Sequence, residues 1–100
     1  MAKMIVMYEK PNDQPGFEEY YFQKHIPLAQ KLPGLKDAKV NKVVTSFNTN
    51  LELYLLVELE FDSVEQINAS LVSEEGRAVQ EDVKNLVEYL GKPPIITIVE

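Results

Sequence analysis

Leu51-Glu52-Leu53-Tyr54-Leu55-Leu56-Val57-Glu58-Leu59-Glu60-Phe61-Asp62-Ser63-Val64-Glu65-Gln66 is the stretch that decides the fold. Odd-numbered positions from Leu51 to Phe61 are all apolar, while the even ones hold Glu52, Glu58 and Glu60 beside Tyr54 and Leu56. A period of two predicts a strand with one buried face. Asp62 or Ser63 then offers an N-cap, with Glu65 or Gln66 placed to reach back, so this strand leads directly into a helix.

Upstream, residues 37–47 read as the partner strand, joined around Asn48-Thr49-Asn50. Further back, Phe17, Tyr20, Tyr21, Leu28 and Leu32 recur at helical spacing, which predicts a helix over 17–32. Pro27 has no N–H and clashes with the preceding turn, so a kink or a fresh helix is expected there, and Pro33-Gly34 ends the segment. Residues 3–9 are apolar at five consecutive positions, Met4 to Tyr8, as in a strand covered on both faces. Downstream of Gln66, a short helix reaches Leu71, with a break near Ser73 and Gly76. A longer helix follows, its stripe made by Val79, Val83, Leu86, Val87 and Leu90, and Gly91 stops it. Ile95-Ile96-Thr97-Ile98-Val99 forms a last strand. The order is β-α-β-β-α-β, an α+β, ferredoxin-like arrangement with a four-stranded antiparallel sheet and its helices on one face. Its first and last strands are apolar on both sides, so the open face calls for a second cover. A symmetric homodimer, sheet against sheet, supplies it most simply, burying more than roughly 1,000 Å².

Composition removes whole classes of function. One hundred residues form one domain, 1–100, and 45% hydrophobic against 26% charged residues suits a globular rather than a disordered chain. The net charge is −6 and Arg77 is the only arginine, which argues against nucleic acid as partner. Zero cysteines exclude disulfides and thiolate chemistry, and one histidine leaves no two-histidine metal site in a single chain, so no metal and no cofactor is expected. No apolar run is long enough to span a bilayer and the N-terminus lacks signal-peptide character, which places the expected chain in the cytoplasm, away from membranes. There is no glycine-rich phosphate loop, and the third strand lacks the Lys/Arg-Gly-aromatic signature of RNA-recognition domains.

His25 stands out among the candidates for chemistry. On the helical wheel it falls within the apolar arc, four residues after Tyr21 and three before Leu28. An imidazole there is either a structural group, bonded to a carbonyl that Pro27 frees, or a general acid/base in an apolar pocket with Tyr21 as orienting or donor partner. The aromatic cluster Phe17, Tyr20, Tyr21 and Phe22 packs the core or lines a site for a hydrophobic compound, with Phe17 as the candidate substrate-binding ring. The acidic neighbours Glu18-Glu19, Glu74-Glu75 and Glu81-Asp82 read as solvated surface, because adjacent helical residues do not face one another.

The segment His25-Ile26-Pro27-Leu28-Ala29-Gln30-Lys31-Leu32-Pro33-Gly34-Leu35 resembles the His-x-Pro-Leu…Pro-Gly-Leu segment of the EthD family, named for ethyl tert-butyl ether degradation. The apolar first strand, aromatic first helix, Phe61-Asp62-Ser63 helix entry and C-terminal strand agree with it. The resemblance implies a dimeric α/β barrel, in a superfamily whose members include cofactor-free cyclases, isomerases and monooxygenases of aromatic or polyketide-like compounds. Only His25 is carried over as a site residue. The haem-degrading barrels use an Asn-Trp-His set, and this chain has no tryptophan; the plant polyketide cyclases use a histidine near the second helical break, where 72–77 has none. The function expected is therefore a cofactor-independent catabolic or accessory enzyme for a small hydrophobic or aromatic compound, with His25 transferring a proton and Tyr21 assisting. The alternative is a non-catalytic binding or accessory protein for such a compound.

Overall fold

A computed structural model describes residues 1–100. Strand β1 (Ala2–Glu9) lies in the middle of a four-stranded sheet, flanked by β3 (Leu53–Phe61) and β4 (Ile95–Val99), with β2 (Asp37–Lys42) outside β3. The order β2-β3-β1-β4, antiparallel throughout, is the ferredoxin-like arrangement that the sequence predicts. The helices are α1 (Gln14–Tyr20), a π-helical turn (Tyr21–His25), α2 (Ile26–Ala29), α3 (Val64–Leu71) and α4 (Glu74–Leu90).

Alternation sets the core. Met4, Val6 and Tyr8 of β1 pair with Leu59, Val57 and Leu55 of β3, and all six are buried under the helices. Phe17, Tyr21, Ile67 and Leu86 close over them from the helical layer. Ser63 caps α3 by accepting from the Gln66 N–H at 3.1 Å, while the Gln66 amide donates to the Pro33 carbonyl instead of reaching back. Gly91 ends α4 in the left-handed region at φ 81°, where a side chain would be strained. Gly76 does not break α4; it lies in the first turn, where a Cβ would come within 2.1 Å of the Ser70 carbonyl, so the α3–α4 corner admits no side chain.

Three features depart from the sequence reading. The hairpin strands are shorter, because strand pairing stops near Lys42 and Leu53; residues 43–52 form a loop anchored by the Val43 N–H on the Tyr54 carbonyl and the Lys10 N–H on the Glu52 carbonyl, exposed from Val44 to Leu51, with Asn48 at φ 62°. Tyr54 is a bulge residue, since Tyr8 pairs with Leu55 while Glu9 pairs with Leu53. The bulge turns the Tyr54 ring edge-on to Phe17 and lets its hydroxyl donate to Glu18. Finally, the disturbance expected at Pro27 falls just before it. The Ile26 N–H reaches the Tyr21 carbonyl in a π-type turn, which loosens the backbone where the proline ring would otherwise press on the preceding turn.

The other face of the sheet is divided. Register sets Met7, Leu56 and Ile95 with Asn41 in the row near the 43–52 loop, Ile5 and Thr97 in one row with Glu58 and Lys39, and Lys3, Glu60 and Asp37 with Val99 in the row at the opposite end. Lys3 bonds Glu58 at 3.2 Å.

Candidate functional site

The π-helical turn carries His25 into the interior, where the residue is only 4% exposed. Its Nδ1 lies 2.9 Å from Oδ2 of Asp82 on α4. A carboxylate only accepts, so Nδ1 carries the proton and donates it, which leaves Nε2 as a bare lone pair. Nε2 has no hydrogen-bond partner in the protein, and the ring lines a cavity between the sheet and α4.

Asp82 is itself held from several sides. The Tyr20 hydroxyl donates to its Oδ1 at 2.6 Å, and the Asn85 amide donates to the same oxygen at 2.9 Å and to the Tyr20 hydroxyl at 3.1 Å. Burial raises the Asp82 carboxyl, but the bonds from Tyr20, Asn85 and His25 outweigh it and hold the group below its ordinary value. Burial lowers His25, and the opposing pull of Asp82 does not restore it. The imidazole is therefore neutral at neutral pH, with an ionised carboxylate behind it. No third His, Cys, Asp or Glu joins the pair.

The cavity has a volume of about 60 Å³. Met4, Val6, Tyr8, Tyr21 and His25 form its buried floor; Val79, Val83 and Pro94, half-buried, and Gln80 and Ile96, exposed, form its rim. No lysine, arginine or carboxylate lines it. Apart from His25, the floor's polar groups are two phenols. Burial pushes Tyr21 up to about 12, with the Tyr8 hydroxyl as the opposing neighbour, and raises Tyr8 well above its usual value, so both stay protonated.

The residues singled out in the sequence fall into different places. His25 and Tyr21 meet, their rings stacked at 5.5 Å and 22°. Tyr21 does not orient the imidazole through a hydrogen bond; Asp82 does. Nor does a carbonyl freed by Pro27 take the Nδ1 proton. Phe17 is one ring further back, fully buried and stacked on Tyr21 at 5.2 Å and 14°, and it does not line the cavity. The reading of Glu81-Asp82 as solvated surface is corrected for Asp82, which is buried against His25, whereas Glu81 bonds Lys84 in solvent. Asp82 lies three residues after Val79 and four before Leu86, inside the apolar stripe of α4, and that position is the signal that reveals it.

Comparison with known proteins places the chain in a family. The EthD domain model matches residues 10–89. A Rhodococcus erythropolis protein, described as an uncharacterized 11.0 kDa protein in the thcB-thcC intergenic region, is 31% identical over 85 residues, which is 85% of this chain and 82% of that one. The crystal structure of an EthD family protein from Bacillus halodurans C-125 is similar over 100% of this chain and 97% of its own, with a TM-score of 0.86 and 36% identity. A dimeric ferredoxin-like protein of unknown function from Jannaschia sp. CCS1 shares the fold at a TM-score of 0.71, with 12% identity over 100% of this chain and 99% of its own. No helix is long and apolar enough to cross a membrane. With the domain model matched over most of its length and relatives above the 30% level, this chain belongs to the EthD family.

Proposed function

We propose that this protein is a proton-transfer enzyme for a small, neutral, hydrophobic or aromatic compound, with the Nε2 atom of His25 as general base. One observation carries the reading: Asp82 holds the Nδ1 proton while Nε2 opens, without a protein partner, onto an apolar cavity. A neutral imidazole in such a site takes a proton from an acidic C–H or O–H of the ligand, and the imidazolium formed is stabilised by the carboxylate behind it. The reaction is then completed when His25 returns the proton to another atom, as an isomerisation or cyclisation requires. Tyr21 and Tyr8, both protonated, supply donors to a ligand oxygen. Phe17 supports Tyr21 from behind and shapes the site without touching the ligand. A lining free of cations, backed by an anionic Asp82, disfavours carboxylates and phosphates.

The working unit in this reading is the whole chain as one domain, assembled as a homodimer in the cytoplasm. The uncovered Ile5, Met7, Leu56, Ile95 and Val99 of the open sheet face support the dimer, as does the shared fold of the dimeric Jannaschia protein; the cysteine-free composition suits a reducing compartment.

Hydrogen–deuterium exchange tests the chemistry. A panel of enolisable cyclic ketones and phenols is incubated with the protein in D2O and followed by NMR. The protein should accelerate exchange at an acidic position, and His25→Gln should reduce the rate by about a hundredfold or more while melting near the native temperature. Ligands that bind without accelerated exchange would replace this reading with that of a non-catalytic binding protein.

A further inference from the structure

Two apolar surfaces of this chain have no cover. One is the rim of the His25 cavity, where Ile96 is 53% exposed on β4, an edge strand of five residues with no charge or proline to protect it. The other is the 43–52 loop, where Val44 is 96% and Phe47 81% exposed. They lie at opposite edges of the sheet but at the same end of it. The loop continues the end of β2 beyond Lys42, and Pro94 and Ile95 lie where β4 meets Met7 of β1.

The open sheet face selects how two copies can meet. A two-fold axis parallel to the strands exchanges left and right edges, laying Met7 of one face on Leu56 of the other and Lys3 on Glu60. A two-fold axis across the strands would instead set Met7 against Lys3 and Leu56 against Glu60, burying charges against hydrocarbon. The parallel axis thus brings the loop of one copy beside the β4 end of the other. Facing sheets stand about 10 Å apart. Half of the eight residues between the anchored Val43 and Glu52, at roughly 3.3 Å per residue, reaches about 13 Å. The loop can therefore cross the layer and turn over the β4 edge.

We propose that the 43–52 loop of a second copy of this chain closes the mouth of the His25 cavity, with the partner's Phe47 seated against Pro94 and Ile96. Each site is then completed by the other subunit, and the apolar ligand is shielded from water only in the dimer. The inference rests on the sheet-to-sheet dimer proposed above.

The lack of native cysteine makes the test direct. The double variant Phe47→Cys/Ile96→Cys, at two exposed positions, is treated with a short bis-maleimide and separated under denaturing conditions, with light scattering of the untreated sample alongside. The expected result is a covalent dimer in which mass spectrometry finds residue 47 of one chain linked to residue 96 of the other. A dimer by light scattering without that link, or with the link inside a single chain, overturns the composite site and leaves the dimer standing. A monomer by light scattering overturns both.

Discussion

The two faces of the sheet are built from the same strands yet behave as opposites. The face under the helices is apolar along its length, and the polar side chain pressed against its floor, His25, has an acidic partner behind it. The open face carries fewer apolar residues from β1 and β4, namely Ile5, Met7, Ile95 and Val99, and sets them beside charged groups that include the Lys3–Glu58 ion pair. Burial on the first face is complete within one chain along β1 and β3, so its energetics there belong to folding. On the second it is left unfinished, so its energetics belong to assembly.

Substitutions separate the two. Phe61→Ala, on the helix-side face and fully buried, should cost about 4 kcal/mol of unfolding free energy in urea at any protein concentration. A loss of less than about 1 kcal/mol would mean that the helical layer does not pack as described. Asp82→Ala should come next, at about 3 kcal/mol, because it leaves the His25 N–H and the Tyr20 hydroxyl without their charged acceptor. Met7→Ala, on the open face, should change monomer stability by no more than about 1 kcal/mol while raising the dissociation constant of the dimer in sedimentation. If its effect on unfolding were independent of concentration and as large as that of Phe61→Ala, the division between faces would fail.

Periodicity made much of this legible. The alternation of residues 51–61 reports which side of β3 meets the helices, because burial follows the pleat and needs no knowledge of the partner. The same holds for the α4 stripe and for the wheel position of His25. What escaped the sequence lies between elements. His25 and Asp82 are 57 residues apart and meet only because α4 crosses the π-helical turn, so the acid was read with its exposed neighbour Glu81. The bulge at Tyr54 and the early end of the hairpin arise from sheet register, which the residues of one strand do not encode.

Acidity gives a smaller effect with a defined sign. The folded His25 pKa lies below the ordinary 6.5, so the unfolded chain takes up that proton first. Stability from this group is complete above pH 6.5 and declines as the pH falls from there towards the folded value. Asp82, held below 3.8, contributes its share above that pH and loses it only in stronger acid. Thermal melting should therefore show a decline beginning below pH 6.5 that His25→Gln removes. An unchanged profile in the variant would assign the decline to other groups.

Because the chain has one histidine, nitrogen-15 NMR of its imidazole reports the site without assignment ambiguity. The arrangement described here predicts, at neutral pH, a proton on Nδ1, an unprotonated Nε2, and a titration midpoint below 6.5. A proton on Nε2 at neutral pH, or a midpoint above 6.5, would contradict an Asp82-held neutral base facing the cavity.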